Sequence, residues 1–244
     1  MIRHFASADE LSNDILSLSP SDYRHLVGSL RIKPGTHLGI VIDESLVIEA
    51  TVTAILKSSL SLTEVTRYEA PLPPFHLDLA LAVTKQDAFS ETLNSCSQLH
   101  VSSYQPLITS RTVPRFSEAD IPQKLSRWKS IIFQASRQCH RYSIPSINRP
   151  KTLAQFTQML HPSHYDLILF LNESETTQSL KSAIQITSRI NRCLAIIGPE
   201  GGFSPSEADC IVKAGAQSVS IGTTILKAPQ AAFFLSSILH YELS

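Results

Sequence analysis

Three continuous apolar segments are the feature that most restricts how this chain can fold. Leu77–Val83, Leu167–Leu171 and Cys193–Ile197 contain almost only apolar side chains. A strand without polar alternation is buried on both faces, as in a parallel sheet that helices cover. Each segment is followed by a polar or helical stretch, and this alternation predicts an α/β domain with helices on both faces of a parallel sheet.

The stretches between these segments complete the pattern. We predict a helix from about Gln86 to Leu99, a strand near Tyr104–Ile108 and a helix near Ile121–Cys139. Their amphipathic spacing is typical of elements that cover a buried sheet.

The first part of the chain has a different pattern. The Ser-Pro-Ser-Asp sequence at 19–22 supplies an N-cap and an N1 proline for a short helix around Tyr23–Leu30. Three stretches rich in β-branched residues follow, at His37–Ile42, Leu46–Ile55 and Leu60–Thr66, with polar turns between them. This spacing predicts a β-meander or a small barrel.

A proline-rich segment at Ala70–Pro74 separates the two patterns. Such segments are stiff and common between domains. We therefore predict one domain over residues 1–70 and a second over residues 75–244.

Composition narrows the functional class. A hydrophobic fraction of 43% with 17% charged residues is ordinary for a globular protein. The longest apolar runs have about ten residues, too short to cross a bilayer, and the N-terminus has no apolar signal segment. We expect a cytoplasmic protein without membrane contact. The four cysteines have no zinc-binding spacing, so we expect buried thiols and no metal.

Charge is uneven along the chain although the net charge is zero. Residues 101–151 carry nine Lys and Arg against two Asp and Glu, and both flanks are acidic. A basic patch on a neutral protein is typical of contact with a polyanion, and a solvated helix face explains the pattern equally well.

The segment 194–208 contains the strongest local signal for a binding site. An apolar strand runs into a turn with three glycines, and the Ser-Pro-Ser-Glu sequence at 204–207 has the form of a capping box at a helix start. This layout places ligands at the carboxyl end of a parallel sheet, although an ordinary βα turn has the same form. The segment matches neither GxGxxG nor the P-loop, which argues against a nucleotide phosphate site.

The sequence IIGPEGGFSPSEAD at 196–209 resembles the glycine-rich signature of the bacterial small-subunit rRNA uracil-N3 methyltransferases, members of the SPOUT class. The segments HLVGSLRIKPG at 25–35, QCHRYSIP at 138–145 and IGTTILK at 221–227 are also similar to segments of that family. The resemblance implies a PUA-like RNA-binding β-barrel at the N-terminus. It also implies a C-terminal trefoil-knotted parallel-sheet domain that binds S-adenosylmethionine.

The same resemblance implies where the cofactor binds. The loops after three strands would enclose S-adenosylmethionine, with backbone groups holding the adenine. The implied cofactor residues are Leu171, Asn172, Glu173, Gly198, Pro199, Glu200, Gly201, Gly202, Ile221, Gly222, Ile225 and Leu226.

The last motif departs from the family pattern LGxRILRxETA. Thr224 stands in place of the first arginine and Lys227 in place of the second, and Pro229-Gln230 replaces Glu-Thr. Uracil N3 is a poor nucleophile until it loses its proton, and a cation near the uracil oxygens stabilises the resulting anion. Thr224, Lys227 and Arg111 are therefore the catalytic candidates, and the sequence singles out no general base.

The implied activity is methylation of N3 of a specific uridine in the 16S rRNA of the small ribosomal subunit. The altered last motif keeps open an alternative, a weakly active or non-enzymatic RNA-binding ribosome-assembly factor with the SPOUT fold. A SPOUT enzyme directed at another RNA position is a third possibility. The candidate RNA contacts are Arg3, His25, Arg31, Arg111, Arg115, Arg137 and Arg141.

The final helix predicts a homodimer. One apolar stripe contains Ala231, Phe234, Leu235, Ile238 and Leu239, and further apolar residues extend to other sides at Ala232, Phe233 and Tyr241. This surface exceeds what one packing partner covers, which indicates a second copy of the chain. The resemblance implies the same, since SPOUT enzymes dimerise beside the knot. A helix sandwiched within its own domain is the alternative.

Overall fold

The chain divides into two compact units. The computed structural model describes residues 1–113, 117–187 and 189–244. The first unit contains Met1–Leu72 and Arg137–Ser143, and the second contains Pro73–Ser136 and Ile144–Ser244.

The first unit is built on a six-stranded mixed sheet in the order β1-β4-β5-β6-β3-β2. Strand β1 is parallel to β4, and the other pairs are antiparallel. The strands are β1 (Ile2–Ala6), β2 (Leu11–Ser12), β3 (Ile15–Ser17), β4 (His37–Ile42), β5 (Leu46–Ile55) and β6 (Ser59–Glu69). The three predicted strands are confirmed as β4, β5 and β6. Strands β1 to β3 were not individually predicted, because they are short and lack a clear alternation.

The predicted short helix of this unit is confirmed, but it starts earlier. Helix α1 (Pro20–Tyr23) is capped by Ser19, whose side-chain oxygen accepts a hydrogen bond from the N–H of Asp22 at 3.1 Å. The chain continues as a π-helix over Arg24–Ser29, and one 3₁₀ turn precedes α1 at Ala8–Glu10.

The second unit contains a seven-stranded sheet in which every pairing is parallel. Its main path is β10-β8-β7-β12-β11-β13, with β9 paired to β8. The strands are β7 (His76–Ala82), β8 (Val101–Ile108), β9 (Ser146–Ile147), β10 (Lys151–Thr152), β11 (Leu167–Leu171), β12 (Arg192–Ile197) and β13 (Gln217–Val219). The helices are α2 (Gln86–Cys96), α3 (Ile121–Gln138), α4 (Leu153–Met159), α5 (Leu180–Ile186), α6 (Pro205–Lys213) and α7 (Ala228–Leu243), with 3₁₀ turns at Glu118–Asp120 and Pro162–His164.

Both faces of this sheet are buried, as the continuous apolar runs predicted. Alternate residues of β12 point to opposite sides: Ala195 packs in a core with residues of α2, α3 and α7, whereas Ile196 packs with residues of α4 and α6. In β11, Leu169 and Phe170 divide in the same way. The predicted α/β class is therefore confirmed.

One residue of the apolar stripe predicted for the final helix, α7, does not face the core. Ala232, Leu235 and Leu239 are buried in the core, whereas Phe234 is 43% exposed. The helical projection placed Phe234 on the stripe, but the small Ala232 takes the inward position. A small side chain there lets the helix backbone approach the elements beneath it.

The expectation of buried thiols holds for two of the four cysteines. All four are free; Cys96 and Cys193 are buried, whereas Cys139 is half-buried and Cys210 is exposed on α6. Burial raises the pKa of the Cys96 thiol to about 12. Within the described residues, no helix combines the length and the apolar character that a membrane crossing requires.

Candidate functional site

The carboxyl ends of three neighbouring strands meet at one edge of the parallel sheet. Strand β11 lies between β12 and β13. The loops that leave these strands enclose a cavity of about 290 Å³, near the lower end of the size range for small-molecule sites. In a parallel sheet this edge is where ligands bind.

The structure brings most of the sequence-predicted site residues together in this cavity. The predicted residues among its lining are Leu171, Asn172, Glu173, Gly198, Pro199, Glu200, Gly202, Ile221, Gly222, Thr224, Ile225, Leu226 and Lys227. Gly201 and Arg111 are outside the lining and contact each other. Several lining residues were not predicted, among them Phe203 and Ser220, which lie within or next to the glycine-rich and final motifs.

The first loop of the cavity is held to its neighbour by Asn172. Its backbone N–H donates to the carbonyl of Val219 at 3.1 Å, and its side-chain amide donates to the hydroxyl of Ser218 at 3.1 Å. Further along, Glu175 accepts hydrogen bonds from the side chain and backbone of Thr177, and these bonds hold its pKa at about 2. This loop is therefore fixed at its start by long-range bonds to β13 and further along by local bonds to Glu175.

The glycine turn forms the second wall, and two glycines are needed for different reasons. Gly202 has φ +66°, and a Cβ there would lie 3.0 Å from a carboxylate oxygen of Glu173. A Cβ on Gly198 would lie 2.9 Å from the ring of Phe203. By contrast, a Cβ on Gly201 would make only ordinary contacts, with Arg111 at 3.6 Å.

The helix after the turn begins with the predicted capping box. Ser204 caps α6 by accepting from the N–H of Glu207 at 3.3 Å, while the Glu207 carboxylate accepts from the N–H of Ser204 at 2.9 Å. The same carboxylate also accepts from the N–H and the hydroxyl of Ser110, at 2.7 and 2.8 Å. Burial raises the pKa of Glu207, but the hydrogen bonds from Ser110 and Ser204 outweigh it, and the net shift is downward.

The loop between β13 and α7 forms the third wall and is more exposed. Ile225 is 80% exposed, and Thr224 and Lys227 are also exposed. Ser220 makes the local bonds: its hydroxyl donates to the carbonyl of Gly222 and accepts from the N–H of that residue. Lys227 is the N-cap residue of α7, so its side chain starts at the mouth of the cavity.

The predicted RNA-contact residues of the first unit occupy different environments. Arg31 is exposed and has φ +53°. The Arg3 guanidinium donates to the hydroxyl of Tyr142 at 2.6 Å and lies 3.7 Å from the centre of that ring. Arg141 is half-buried and donates to the carbonyl of Ser143. Arg115 lies outside the described residues.

Arg137 differs from its predicted role as a surface contact. Its side chain is 8% exposed and forms an ion pair with Asp22 at 2.8 Å, so its charge faces the interior of the first unit. His25, half-buried nearby, has a lowered pKa, first because of burial and then because of the positive charge of Arg137. His4 is almost fully buried, and burial lowers its pKa to about 4 with a further contribution from Arg137.

The residues that could coordinate a metal do not cluster. Across the described ranges, no group of three or more His, Cys, Asp or Glu side chains is arranged to hold an ion. The cavity itself combines apolar walls with two carboxylates, Glu173 and Glu200. An α/β protein with such a site at the carboxyl edge of a parallel sheet belongs to the class that binds organic ligands there.

Comparison with known proteins gives the family. A family model described as an RNA methyltransferase domain matches residues 71–240, so the chain belongs to that family. Ribosomal RNA small subunit methyltransferase E of Synechocystis sp. is 26% identical over 94% of this chain and 74% of the relative. The protein of the same name from Mesomycoplasma hyopneumoniae is 31% identical over 64% of this chain and 66% of the relative.

A solved structure agrees with the observed fold. A methyltransferase from Legionella pneumophila, in complex with the bound cofactor SAM, is 25% identical and has a TM-score of 0.86. The match covers 99% of this chain and 97% of that chain. The resemblance of the sequence to the small-subunit rRNA methyltransferases is confirmed by these relatives.

Proposed function

We propose that this protein is an S-adenosylmethionine-dependent methyltransferase that methylates N3 of a specific uridine in the 16S rRNA of the small ribosomal subunit. The observation that carries the proposal is the cavity at the carboxyl edge of the sheet, walled by the glycine turn in a chain of the RNA methyltransferase family. The relatives named for small-subunit rRNA methylation support the substrate.

The lining of the cavity fits the cofactor. Leu171, Ile221 and Leu226 offer an apolar surface for the adenine, and the loop backbones offer amide and carbonyl groups for its edge. Glu173 and Glu200 supply negative charge for a ligand that carries a sulfonium and an ammonium group. S-adenosylmethionine supplies an activated methyl group, so the protein mainly has to position the reactants and handle charge.

Charge handling at the uracil falls to the last loop in this proposal. Lys227 lines the cavity and is exposed, so its ammonium group can approach a base that enters from solvent. A cation beside the uracil oxygens stabilises the deprotonated base. Thr224, also exposed, contributes a neutral hydroxyl in place of the arginine of the family pattern.

RNA recognition involves both units. We assign residues 1–70 to a PUA-like RNA-binding β-barrel, for which the mixed sheet of the first unit is suitable, and residues 75–244 to the SPOUT methyltransferase domain. Within the second range, Arg137–Ser143 is grouped with the first unit. Arg3, Arg31 and Arg141 are the phosphate contacts of the first unit, and His25 is a further RNA contact. Arg137 has a structural role instead, since its guanidinium is buried against Asp22. A ribosomal substrate implies a cytoplasmic protein.

Two finer features complete the proposal. The chain between β11 and α7 forms the trefoil knot of the SPOUT class, and α7 forms a homodimer. The dimer is supported by the exposure of Phe233 and Phe234 on α7, at 44% and 43%, because a monomer gains nothing from exposing two neighbouring aromatic side chains. Light scattering at micromolar concentration measures the mass directly, and a monomer mass for active protein contradicts the dimer.

The experiment that tests the function is mass-spectrometric mapping of rRNA modification in cells with and without the gene. We expect one uridine of 16S rRNA to lose an N3 methyl group when the gene is absent. Binding of S-adenosylmethionine in calorimetry together with an unchanged modification map would instead favour the assembly factor, which the altered Thr224 and Pro229-Gln230 positions keep as the second candidate. A change at another nucleotide would indicate a different RNA target.

A further inference from the structure

One peptide group in the glycine turn is held from both sides. The N–H of Gly202 donates to the carbonyl of Pro199 at 2.9 Å, which closes the turn. The carbonyl of Gly201, on the other side of the same peptide plane, accepts from the guanidinium of Arg111 at 2.6 Å. The rotation of this peptide is therefore restrained by two hydrogen bonds that point in opposite directions.

Such a restraint matters in a turn with adjacent glycines. Glycine has access to both signs of φ, so the peptide between two glycines can flip with little steric resistance. A flipped Gly201–Gly202 peptide would lose the bond to Pro199 and change the wall of the cavity that Gly202 lines. Interactions that hold the turn in one conformation reduce the binding free energy that a ligand would otherwise lose in ordering the turn.

Arg111 is itself held in place by a neighbouring anchor. The residue before it, Ser110, donates two hydrogen bonds to the Glu207 carboxylate, through its N–H and its hydroxyl. Glu207 belongs to the first turn of α6, which begins shortly after the glycine turn, so the anchor lies on the element that follows the turn. Ser110 and Glu207 are 97 residues apart in sequence.

We propose that Arg111 is a positioning residue that locks the Gly201–Gly202 peptide, and that Glu207 holds Arg111 in place through Ser110. The inference rests on the proposed function, because the locked turn is the wall of the S-adenosylmethionine site. It changes the role that the sequence suggested for Arg111. The residue acts on the cofactor site through the turn backbone, and an RNA contact is not needed to explain it.

Two measurements without RNA test this role. Calorimetry with S-adenosylhomocysteine gives the affinity of the site, and amide exchange by NMR reports how often the Gly202 N–H leaves Pro199. Loss of the exposed hydrogen bond from the Arg111 guanidinium, at the low end of the range for charged donors, predicts that Arg111→Ala weakens affinity about tenfold and speeds exchange at Gly202 by a similar factor. Arg111→Lys keeps a donor and recovers part of both effects, and Ser110→Ala has a smaller effect in the same direction.

A matched variant distinguishes loss of the Arg111–Gly201 hydrogen bond from the loss of one positive charge. Arg149→Ala removes an arginine whose side chain is 61% exposed and paired with Glu118, and it leaves the turn unchanged. We expect wild-type affinity and exchange in that variant. Wild-type values for both readouts in Arg111→Ala would overturn the proposal, and a fall in methyl transfer alone would then assign Arg111 to the RNA. A wild-type protein that binds no S-adenosylhomocysteine would refute the proposed function, and Gly202 exchange would still decide whether Arg111 locks the turn.

Discussion

The glycine turn and the loop before α7 line the same cavity but are built differently. The glycine turn is fixed by the Gly202–Pro199 bond, by the capping box of α6 and by Arg111. In the loop before α7, Ile225 is 80% exposed, and the Ser220 hydroxyl bonds within the loop to Gly222. The start of this loop is held by the Ser220 backbone, which pairs with Gln178 and Leu180. The turn also keeps the family signature in its sequence, whereas the loop departs from it at Thr224.

This difference indicates a division of labour. A wall that is ordered in advance favours tight binding, because the ligand does not have to immobilise it. An exposed loop with changed side chains can alter the handling of the second substrate while the cofactor wall stays intact. We therefore expect changes in the turn to affect cofactor affinity and changes in the loop to affect methyl transfer.

The largest effect should come from Gly202→Val. The valine would have to adopt the φ of +66° that Gly202 has, which is strained for a β-branched residue. Its Cβ would also lie 3.0 Å from a carboxylate oxygen of Glu173. We expect S-adenosylhomocysteine affinity to fall by at least about thirtyfold, the equivalent of about 2 kcal/mol. Gly201→Ala is the matched control, since its Cβ meets only ordinary contacts, and calorimetry should show a change of less than about threefold. Equal effects of the two variants would contradict the account of the turn.

Lys227→Ala should produce the next largest effect, and this effect should fall on the methyl-transfer rate instead of the cofactor affinity. Removal of the cation from the cavity mouth should lower the methyl-transfer rate on small-subunit RNA by about tenfold or more, with cofactor affinity changed less than about threefold. Single-turnover kinetics with radiolabelled cofactor measures the rate. Lys213→Ala, at the far end of α6, serves as the control for loss of one positive charge. If cofactor affinity fell as much as the rate, the loop would contribute to cofactor binding as the turn does, and the proposed difference between them would be wrong.

Restoring the family residue in the loop should have a moderate effect. We expect Thr224→Arg to raise the methyl-transfer rate about three- to fivefold, because the position is exposed at the cavity and a second cation would assist the developing anion. Cofactor affinity should stay the same. A slower variant would indicate that the loop of this protein is adapted to its own substrate, and Thr223→Arg tests whether the position of the charge matters.

The smallest effect should appear in amide exchange when the pH is lowered. The pKa of Glu207 in the folded protein lies below its ordinary value of 4.5, so its contribution to stability is complete above that value and is lost as pH falls through the folded pKa. As the pH falls below 4.5, the amides of Ser110 and Ser204 should lose protection, measured against their intrinsic exchange rate at each pH, before the amides of the loop before α7 do. Glu207→Gln should remove this pH dependence of exchange. Identical acid profiles for the turn and the loop would show that the Glu207 anchor does not distinguish them.

Much of the fold could be predicted from local sequence patterns. Strands β4, β5 and β11 begin and end where the apolar and β-branched runs do, and the capping box forms at 204–207 as predicted. These features depend on residues within a few positions of one another, so they can be predicted without knowing which distant residues pack against them. The short strands β1 to β3 were not predicted individually, because their pairing partners, not their own residues, make them strands.

The sequence by itself therefore determined the α/β class and the glycine turn with its helix cap, and its resemblance to the rRNA methyltransferases implied more than half of the residues that line the cavity. The tertiary structure alone decided that Arg137 is buried against Asp22, that Ala232 rather than Phe234 faces the core, and that Ser110 reaches Glu207. Each of these depends on partners far away in sequence, as the 97 residues between Ser110 and Glu207 illustrate. Local propensities act over one or two turns of chain, whereas burial and long-range hydrogen bonds exist only after the chain has packed.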